Sequence, residues 1–109
     1  MYIEAGTTLY RYSIRYNRFS VCKGVVNEVA GRRKVVFAAD DVGKAKSVRC
    51  PREEDIGIIR NVGPSLWLYE RDDELAKQIF IDHEMYQING LTALIERKKK
   101  TVEMLRGKV

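Results

Sequence analysis

Arginines interleaved with tyrosines form the stretch of this sequence best suited to chemistry. From Tyr10 to Tyr16, large residues alternate with Arg11, Ser13 and Arg15, a period of two that is typical of a β-strand. Tyrosine rings stack on nucleobases, and arginines hold phosphates. The alternation places the two residue types on opposite faces of the strand. A tyrosine-rich core face backed by solvated arginines therefore fits the pattern as well.

Two further basic groups have the charge to contact an acidic partner. One surrounds the second expected turn and consists of Arg32, Arg33 and Lys34, with Arg18 from the neighbouring turn. Turn tips are exposed, so this charge suits phosphates or an acidic protein surface, although charged turns also serve solubility alone. The other group lies near the end of the expected helix and comprises Arg97, Lys98, Lys99 and Lys100.

The helical cluster has two interpretations. Four consecutive helical residues point around the whole circumference, an arrangement that nucleic acid accommodates better than a protein groove does. The alternative is a solvated helix end. Acidic residues prevail at the start of residues 70–109 and basic residues at the end, which complements the helix macrodipole.

Residues with catalytic or metal-binding potential are few. His83 is the only histidine and lies between Asp82 and Glu84, whose side chains point to other faces of a helix. Cys22 and Cys50 fit no metal motif and are too few for a disulfide framework. No phosphate-binding loop or nucleophile–base order is present. We therefore expect no catalytic residue, no metal and no cofactor, and we expect a binding role.

Length and composition indicate one globular domain. The chain has 109 residues, 45% hydrophobic and 32% charged, which is too apolar for a disordered protein. The net charge of +5 lies in the first part, since residues 1–69 hold 12 basic and 7 acidic side chains and residues 70–109 hold eight of each. No apolar run approaches the length of a membrane span. With two cysteines and no visible signal peptide, we expect a cytoplasmic protein that does not contact a membrane.

The β-rich part indicates an α+β fold. Gly24 is expected to bend or bulge the second strand, and Trp67 is expected between sheet and helix. Short strands joined by tight turns favour a small antiparallel β-barrel-like or curved sheet over residues 1–69, followed by a long C-terminal helix, or a helical hairpin, over residues 70–109. The expected strands are 10–16, 19–29, 34–39, 44–50, 56–60 and 66–69, with turns at 17–18 and 31–33.

Gly90 decides the form of the helical part. Glu70 or Asp72 can cap its start, and glycine at Asn89-Gly90 either ends a first helix or is tolerated within one long helix. A broken helix would fold back as a hairpin. An unbroken helix would leave an apolar seam uncovered, which favours a homodimer through a short coiled coil. We favour the long helix and the dimer. The seam comprises Ile88, Leu91, Ile95, Val102 and Leu105, with Lys98 at one seam position.

The order of these segments resembles small uncharacterised proteins encoded in prophages of Gram-positive bacteria. The resemblance is carried by residues 67–80 (WLYERDDELAKQIF), preceded by the tyrosine-rich opening at residues 9–12. It implies a phage-type accessory protein, and anti-CRISPR inhibitors that occlude a host nuclease are a known occupation of such proteins. Many of them are acidic DNA mimics. For a basic chain, the resemblance instead implies that the nuclease is blocked by direct protein contact or by binding of its guide RNA.

Our first hypothesis is thus a non-enzymatic phage-type interaction protein, an anti-CRISPR-like inhibitor that binds and blocks a host CRISPR nuclease complex, whether protein or ribonucleoprotein. The alternative is a small basic nucleic-acid-binding module. Both would act in the cytoplasm of a bacterial host cell. The residues expected at a partner or nucleic-acid interface are Arg11, Arg15, Arg18, Arg32, Arg33, Lys34, Arg97, Lys98, Lys99 and Lys100.

Overall fold

Five strands followed by one long helix make up the fold, in a computed structural model that describes residues 2–38, 46–59 and 65–107. This is the α+β arrangement that the sequence predicts. The elements are β1 (Thr8–Arg15), β2 (Arg18–Val29), β3 (Arg32–Phe37), β4 (Ser47–Arg49), a short 3-10 helix (Glu53–Asp55), β5 (Ser65–Leu68) and α1 (Asp73–Leu105).

The sheet is open and antiparallel, with the strand order β4-β3-β2-β1-β5. It is not closed into a barrel, so the barrel-like form of the prediction is wrong. The two edge strands β4 and β5 have only three and four residues. Edges this short present few unpaired backbone groups, which removes the physical reason for closure.

Both hairpin turns begin one residue earlier than predicted. Tyr16 and Asn17 have φ of 51° and 60°, and Ala30 and Gly31 have φ of 53° and 76°. Two successive residues with positive φ are the mark of the two-residue turn that matches the twist of the flanking strands. As a result Arg18 is the first residue of β2 rather than a turn residue.

Gly24 does not form the expected bulge. It pairs regularly with Leu9 on one side and Phe37 on the other. A Cβ atom at this position would clash with Cγ1 of Val35 and would lie 3.1 Å from two ring carbons of Phe37. Glycine is needed here because neighbouring side chains pack directly over the backbone.

The predicted strand over residues 56–60 is absent from its described part, residues 56–59, and Arg60 lies outside the described residues. The backbone instead turns at Gly57, whose N–H donates to the Trp67 carbonyl at 2.8 Å. Ile59 is buried, and Ile56 packs against the core. The apolar run therefore reflects a loop that covers the sheet. Residues 39, 44 and 45 of the predicted third and fourth strands also lie outside the described residues.

Each face of the sheet carries a core. Leu9 and Tyr12 both have 0% exposure, although strand alternation puts them on opposite faces. On the Tyr12 side lie the buried Leu66 and the first turns of α1, which Tyr12 contacts at Asp73. The Leu9 side carries a cluster of Ile3, Leu9, Val26 and Val35, flanked by Phe37, Val48, Cys50, Ile56 and Trp67.

Trp67 belongs to the Leu9 side and not to the junction of sheet and helix, so that expectation is wrong. It pairs with Arg11, whereas its neighbour Leu66 pairs with Tyr12 on the helix side. Two adjacent strand residues always point in opposite directions. Because the leucines on either side of Trp67 face the helix, Trp67 itself faces away from it.

The helix starts at the predicted cap and runs through Gly90. Asp72 accepts a hydrogen bond from the N–H of Leu75 at 3.0 Å, the geometry of an N-cap. The 33 residues of α1 correspond to about 50 Å, so the long helix is confirmed and the hairpin is wrong. Along the described part of the chain, no helix is long and apolar enough for a bilayer.

Contacts within the chain group it into two compact units, Met1–Ile79 and Phe80–Val109. The first turns of α1 thus belong with the sheet, and the division between the two units falls inside the helix. Within the second unit His83 is half-buried, and every described residue from 84 to 107 is exposed.

Candidate functional site

The register of β1 and β2 brings three arginines to one face of the sheet. Arg11 pairs with Cys22, and Arg15 pairs with Arg18. Directly paired residues point to the same side, and Arg11 and Arg15 are separated by an even number of residues. We call this surface the arginine face. It is formed by Arg11, Ser13, Arg15, Arg18, Ser20, Cys22, Ser65 and Trp67.

Positive charge on the arginine face is not balanced locally. Arg15 and Arg18 are exposed and lie directly opposite each other, an arrangement of like charges that costs stability. Among the described residues, neither has an acidic partner. Among the described strand residues on this side of the sheet, the one acidic residue is Glu28, which pairs with Arg33 near the far end of β2. An anion bound here would relieve the repulsion between the two guanidinium groups.

Arg11 is held in place against an aromatic stack. Its Nε and Nη2 atoms both donate to Oγ of Ser65 at 3.2 Å. Its Cζ atom lies 5.7 Å from the centroid of the Trp67 ring. Trp67 also stacks on Phe37, with ring centroids 6.2 Å apart and planes inclined by 19°. The guanidinium is thereby ordered without a carboxylate and keeps its full charge.

Small hydroxyl residues occupy the space between the arginines. Ser13 and Ser20 are paired across the strands, with their Oγ atoms 3.2 Å apart. Serine hydroxyls donate as well as accept, and such groups commonly contact phosphate oxygens in protein–nucleic acid complexes. Because these side chains are short, they leave the surface between the arginines accessible to a ligand.

The basic turn does not join the arginine face. Arg18 and Arg32 stand at opposite ends of β2 and the turn that follows it, roughly 36 Å apart at about 3.3 Å per residue. Arg32 and Lys34 also point to the other face, since they pair with Val29 and Asn27. The prediction that Arg18 and residues 32–34 form one patch is wrong because a single long strand separates them.

Arg33 shares the side of the arginine face but lies at its distant end. It pairs with Glu28 across β2 and β3, and its Cζ atom is 5.5 Å from the centroid of the Tyr2 ring. Arg33 therefore contacts Tyr2 rather than the other arginines of this side. The helical cluster Arg97–Lys100 is exposed and lies within the second unit.

Of the two interpretations of residues 10–16, the structure supports the core role for Tyr12 and the surface role for the arginines. Tyr12 is buried, whereas Tyr16 is 99% exposed at the turn. Trp67 and Ser65 are the site residues that the sequence reasoning missed. The alternation in residues 65–68 was a usable signal for their common face. Their contact with Arg11 could not be predicted in the same way, because it depends on the pairing of β5 with β1, which are more than fifty residues apart in the chain.

The arrangement is suited to binding anions. Within the described ranges, no cluster of three His, Cys, Asp or Glu residues is placed to hold a metal ion. Cys22 and Cys50 are free thiols, and burial raises the pKa of Cys50, with Arg33 opposing that shift. What remains is a fixed guanidinium on an aromatic stack, two exposed arginines and a set of hydroxyl groups.

Comparison with protein-family models, with curated proteins and with solved structures gave no match for this chain.

Proposed function

We propose that the protein is a non-enzymatic binding module that holds single-stranded nucleic acid on its arginine face. The observation that carries the proposal is the placement of Arg11, Arg15 and Arg18 on one face beside Trp67, where none of the three arginines is paired with an acidic residue. Arginine is the side chain best matched to phosphate, because its planar fork donates two parallel hydrogen bonds. In this proposal the phosphate backbone supplies most of the affinity.

The shape of the face favours a single strand over a duplex. Arg11 and Arg15 are four residues apart on β1, about 13 Å, so the positive charge forms a short line along the strand. The Arg11–Trp67 stack lies at one end of this line. An unpaired base exposes its flat surface and can stack there, whereas a paired base in a duplex cannot.

A salt titration tests this function. Binding of a fluorescently labelled single-stranded oligonucleotide is measured by anisotropy over a range of salt concentrations. Three arginine–phosphate contacts predict a slope of about −2 in log K against log salt, at roughly 0.7 per contact for single strands. A duplex of the same sequence serves as the comparison and should bind more weakly. Absence of binding at low salt would overturn the proposal.

Two matched double variants locate the binding site. Replacing Arg15 and Arg18 by serine should weaken binding and reduce the slope by about 1.4. The control replaces Arg32 and Arg49 by serine. Both are exposed and on the other face, so net charge falls equally while the arginine face stays intact. An equal loss of affinity in the two double variants would mean that net charge, and not this face, drives binding.

A phage-type interaction protein, and specifically an anti-CRISPR-like inhibitor in the cytoplasm of a bacterial host, is the second candidate. It rests on the resemblance of residues 67–80 and on the same face, whose charge suits the guide RNA of a ribonucleoprotein nuclease. The direct test is target cleavage by a purified CRISPR nuclease with and without the protein. Inhibition that is lost on replacing Arg15 and Arg18 supports this candidate, and unchanged cleavage excludes it for that nuclease.

A further inference from the structure

The second unit carries an apolar seam along α1. Ile81, Ile88, Ile95 and Val102 recur at every seventh residue and are 45–54% exposed. Leu91 and Leu105 follow Ile88 and Val102 by three residues each. A seven-residue repeat of this kind is the pattern of a coiled coil. Gly90 lies off this seam.

Two charged residues interrupt the seam, and they favour one relative orientation for two paired helices. Glu84 and Lys98 occupy the two remaining positions of the leucine type. In a parallel pair each would meet its own copy, which puts carboxylate against carboxylate and ammonium against ammonium. The net charge is −2 over residues 80–92 and +3 over residues 93–107. Parallel pairing would therefore bring like charge together along the whole length.

We propose that α1 pairs with α1 of a second copy of the chain in antiparallel orientation, with the crossing point at Ala93. The acidic half of each helix then lies beside the basic half of the other, and the two macrodipoles oppose each other favourably. No layer contains two like charges. The layers are Ile81 with the partner's Leu105, Glu84 with the partner's Val102, Ile88 with the partner's Lys98, and Leu91 with the partner's Ile95.

A shallow groove on α1 has the lining that this pairing requires. It is formed by Ile95, Lys98, Lys99, Val102, Glu103 and Arg106. In the proposed register the partner's Glu84 enters level with Val102. Lys98 and Arg106 lie one turn to either side, about 6 Å along the axis. The groove thus offers an apolar floor, with basic side chains one turn to either side of the incoming carboxylate.

This inference uses only residues of the second unit and is independent of the proposed nucleic-acid binding. The first test is sedimentation equilibrium of the full chain. A dimer is expected for the wild type, and a chain that stays monomeric at high micromolar concentration would overturn the proposal. Replacing Ile95 by lysine should abolish the dimer. The matched control is Tyr86→Lys, because Tyr86 is 80% exposed and lies off the seam.

A charge-reversal cycle tests the orientation. E84K and K98E should each weaken the dimer by roughly tenfold, because each places like charges on the two chains only one turn apart in the antiparallel register. The double variant E84K/K98E should restore wild-type affinity. In a parallel dimer each single change exchanges one like pair for another, so unchanged affinity in both singles would overturn the antiparallel arrangement. Circular dichroism checks that the helix persists.

Disulfide trapping provides a second measurement. In a background with Cys22 and Cys50 replaced by serine, an equimolar mixture of I81C and L105C chains should form a covalent dimer on mild oxidation. Neither variant alone should do so at the same rate. Faster trapping of I81C alone would place the two Ile81 positions together and would establish the parallel arrangement instead.

Discussion

The hydroxyl of Tyr12 donates a hydrogen bond to Oδ1 of Asp73 at 2.7 Å and so ties β1 to the first turn of α1. The same oxygen accepts a hydrogen bond from the N–H of Asp72 at 3.0 Å. The ring of Tyr12 is fully buried, so this hydroxyl is the polar end of a core residue. It fixes where the helix begins against the face opposite to the arginine face.

Replacing Tyr12 by phenylalanine should destabilise the protein. Both hydrogen bonds are lost while the ring stays, and about 1 kcal/mol is typical for such a change. In a chain of this size that corresponds to a fall of roughly 4–8 °C in Tm. Thermal unfolding followed by circular dichroism measures it. Tyr16→Phe is the control, because the exposed Tyr16 should leave Tm unchanged. Equal Tm values for wild type and Tyr12→Phe would contradict the structural role.

Stability should depend on the ionisation of Asp73. The hydrogen bond from Tyr12, and then Arg71, lower the pKa of Asp73 below its ordinary value. A carboxylate with a lowered folded-state pKa stabilises the fold above its unfolded pKa of about 4, and this contribution is lost as the pH falls through the folded pKa. Asp73→Asn should therefore be less stable than wild type at pH 7, and the difference should shrink at pH 3.

Urea unfolding at the two pH values measures this difference. Since the Tyr12 bond is the largest cause of the shift, the pH dependence of the Asp73→Asn effect should become smaller in a Tyr12→Phe background. A difference between wild type and Asp73→Asn that is the same at pH 3 and pH 7 would show that the charge of Asp73 does not contribute.

Gly24→Ala should destabilise the sheet. The added methyl group would clash with Cγ1 of Val35, a buried side chain of the same core. Overpacking of this kind costs about 1–3 kcal/mol. Equilibrium unfolding in urea measures the loss. A variant as stable as wild type would show that Val35 and Phe37 move aside freely.

Gly90→Ala, by contrast, should stabilise the protein. A Cβ atom added at Gly90 would have no neighbour within 4 Å among the described residues, and alanine is the better helix former by about 1 kcal/mol. Higher Tm and stronger helical ellipticity are expected. A decrease in either would mean that the helix needs flexibility at this point.

The two cysteines should react at different rates. Cys22 is exposed on the arginine face, whereas Cys50 is half-buried and has a raised pKa because of its burial. Less thiolate and less access both slow the reaction of Cys50. Mass spectrometry after brief maleimide treatment should therefore find Cys22 modified first. A saturating single-stranded oligonucleotide should slow the labelling of Cys22, and no protection would argue against binding on this face.

Local patterns in the sequence determined most of the elements. The alternation in residues 10–16, the cap at Asp72 and the seven-residue spacing along the helix each reflect backbone geometry within a few residues of chain. The turns were predicted one residue late because Tyr16 and Ala30 adopt positive φ, which their residue types do not indicate.

Tertiary structure alone decided which side chains meet. Arg11 reaches Ser65 and Trp67 because β5 pairs with β1, and Arg18 is separated from Arg32 because β2 is one long strand. Pairing and register depend on burying Leu9 on one face and Tyr12 on the other at the same time. That condition involves the whole sheet, so no short window of sequence contains it.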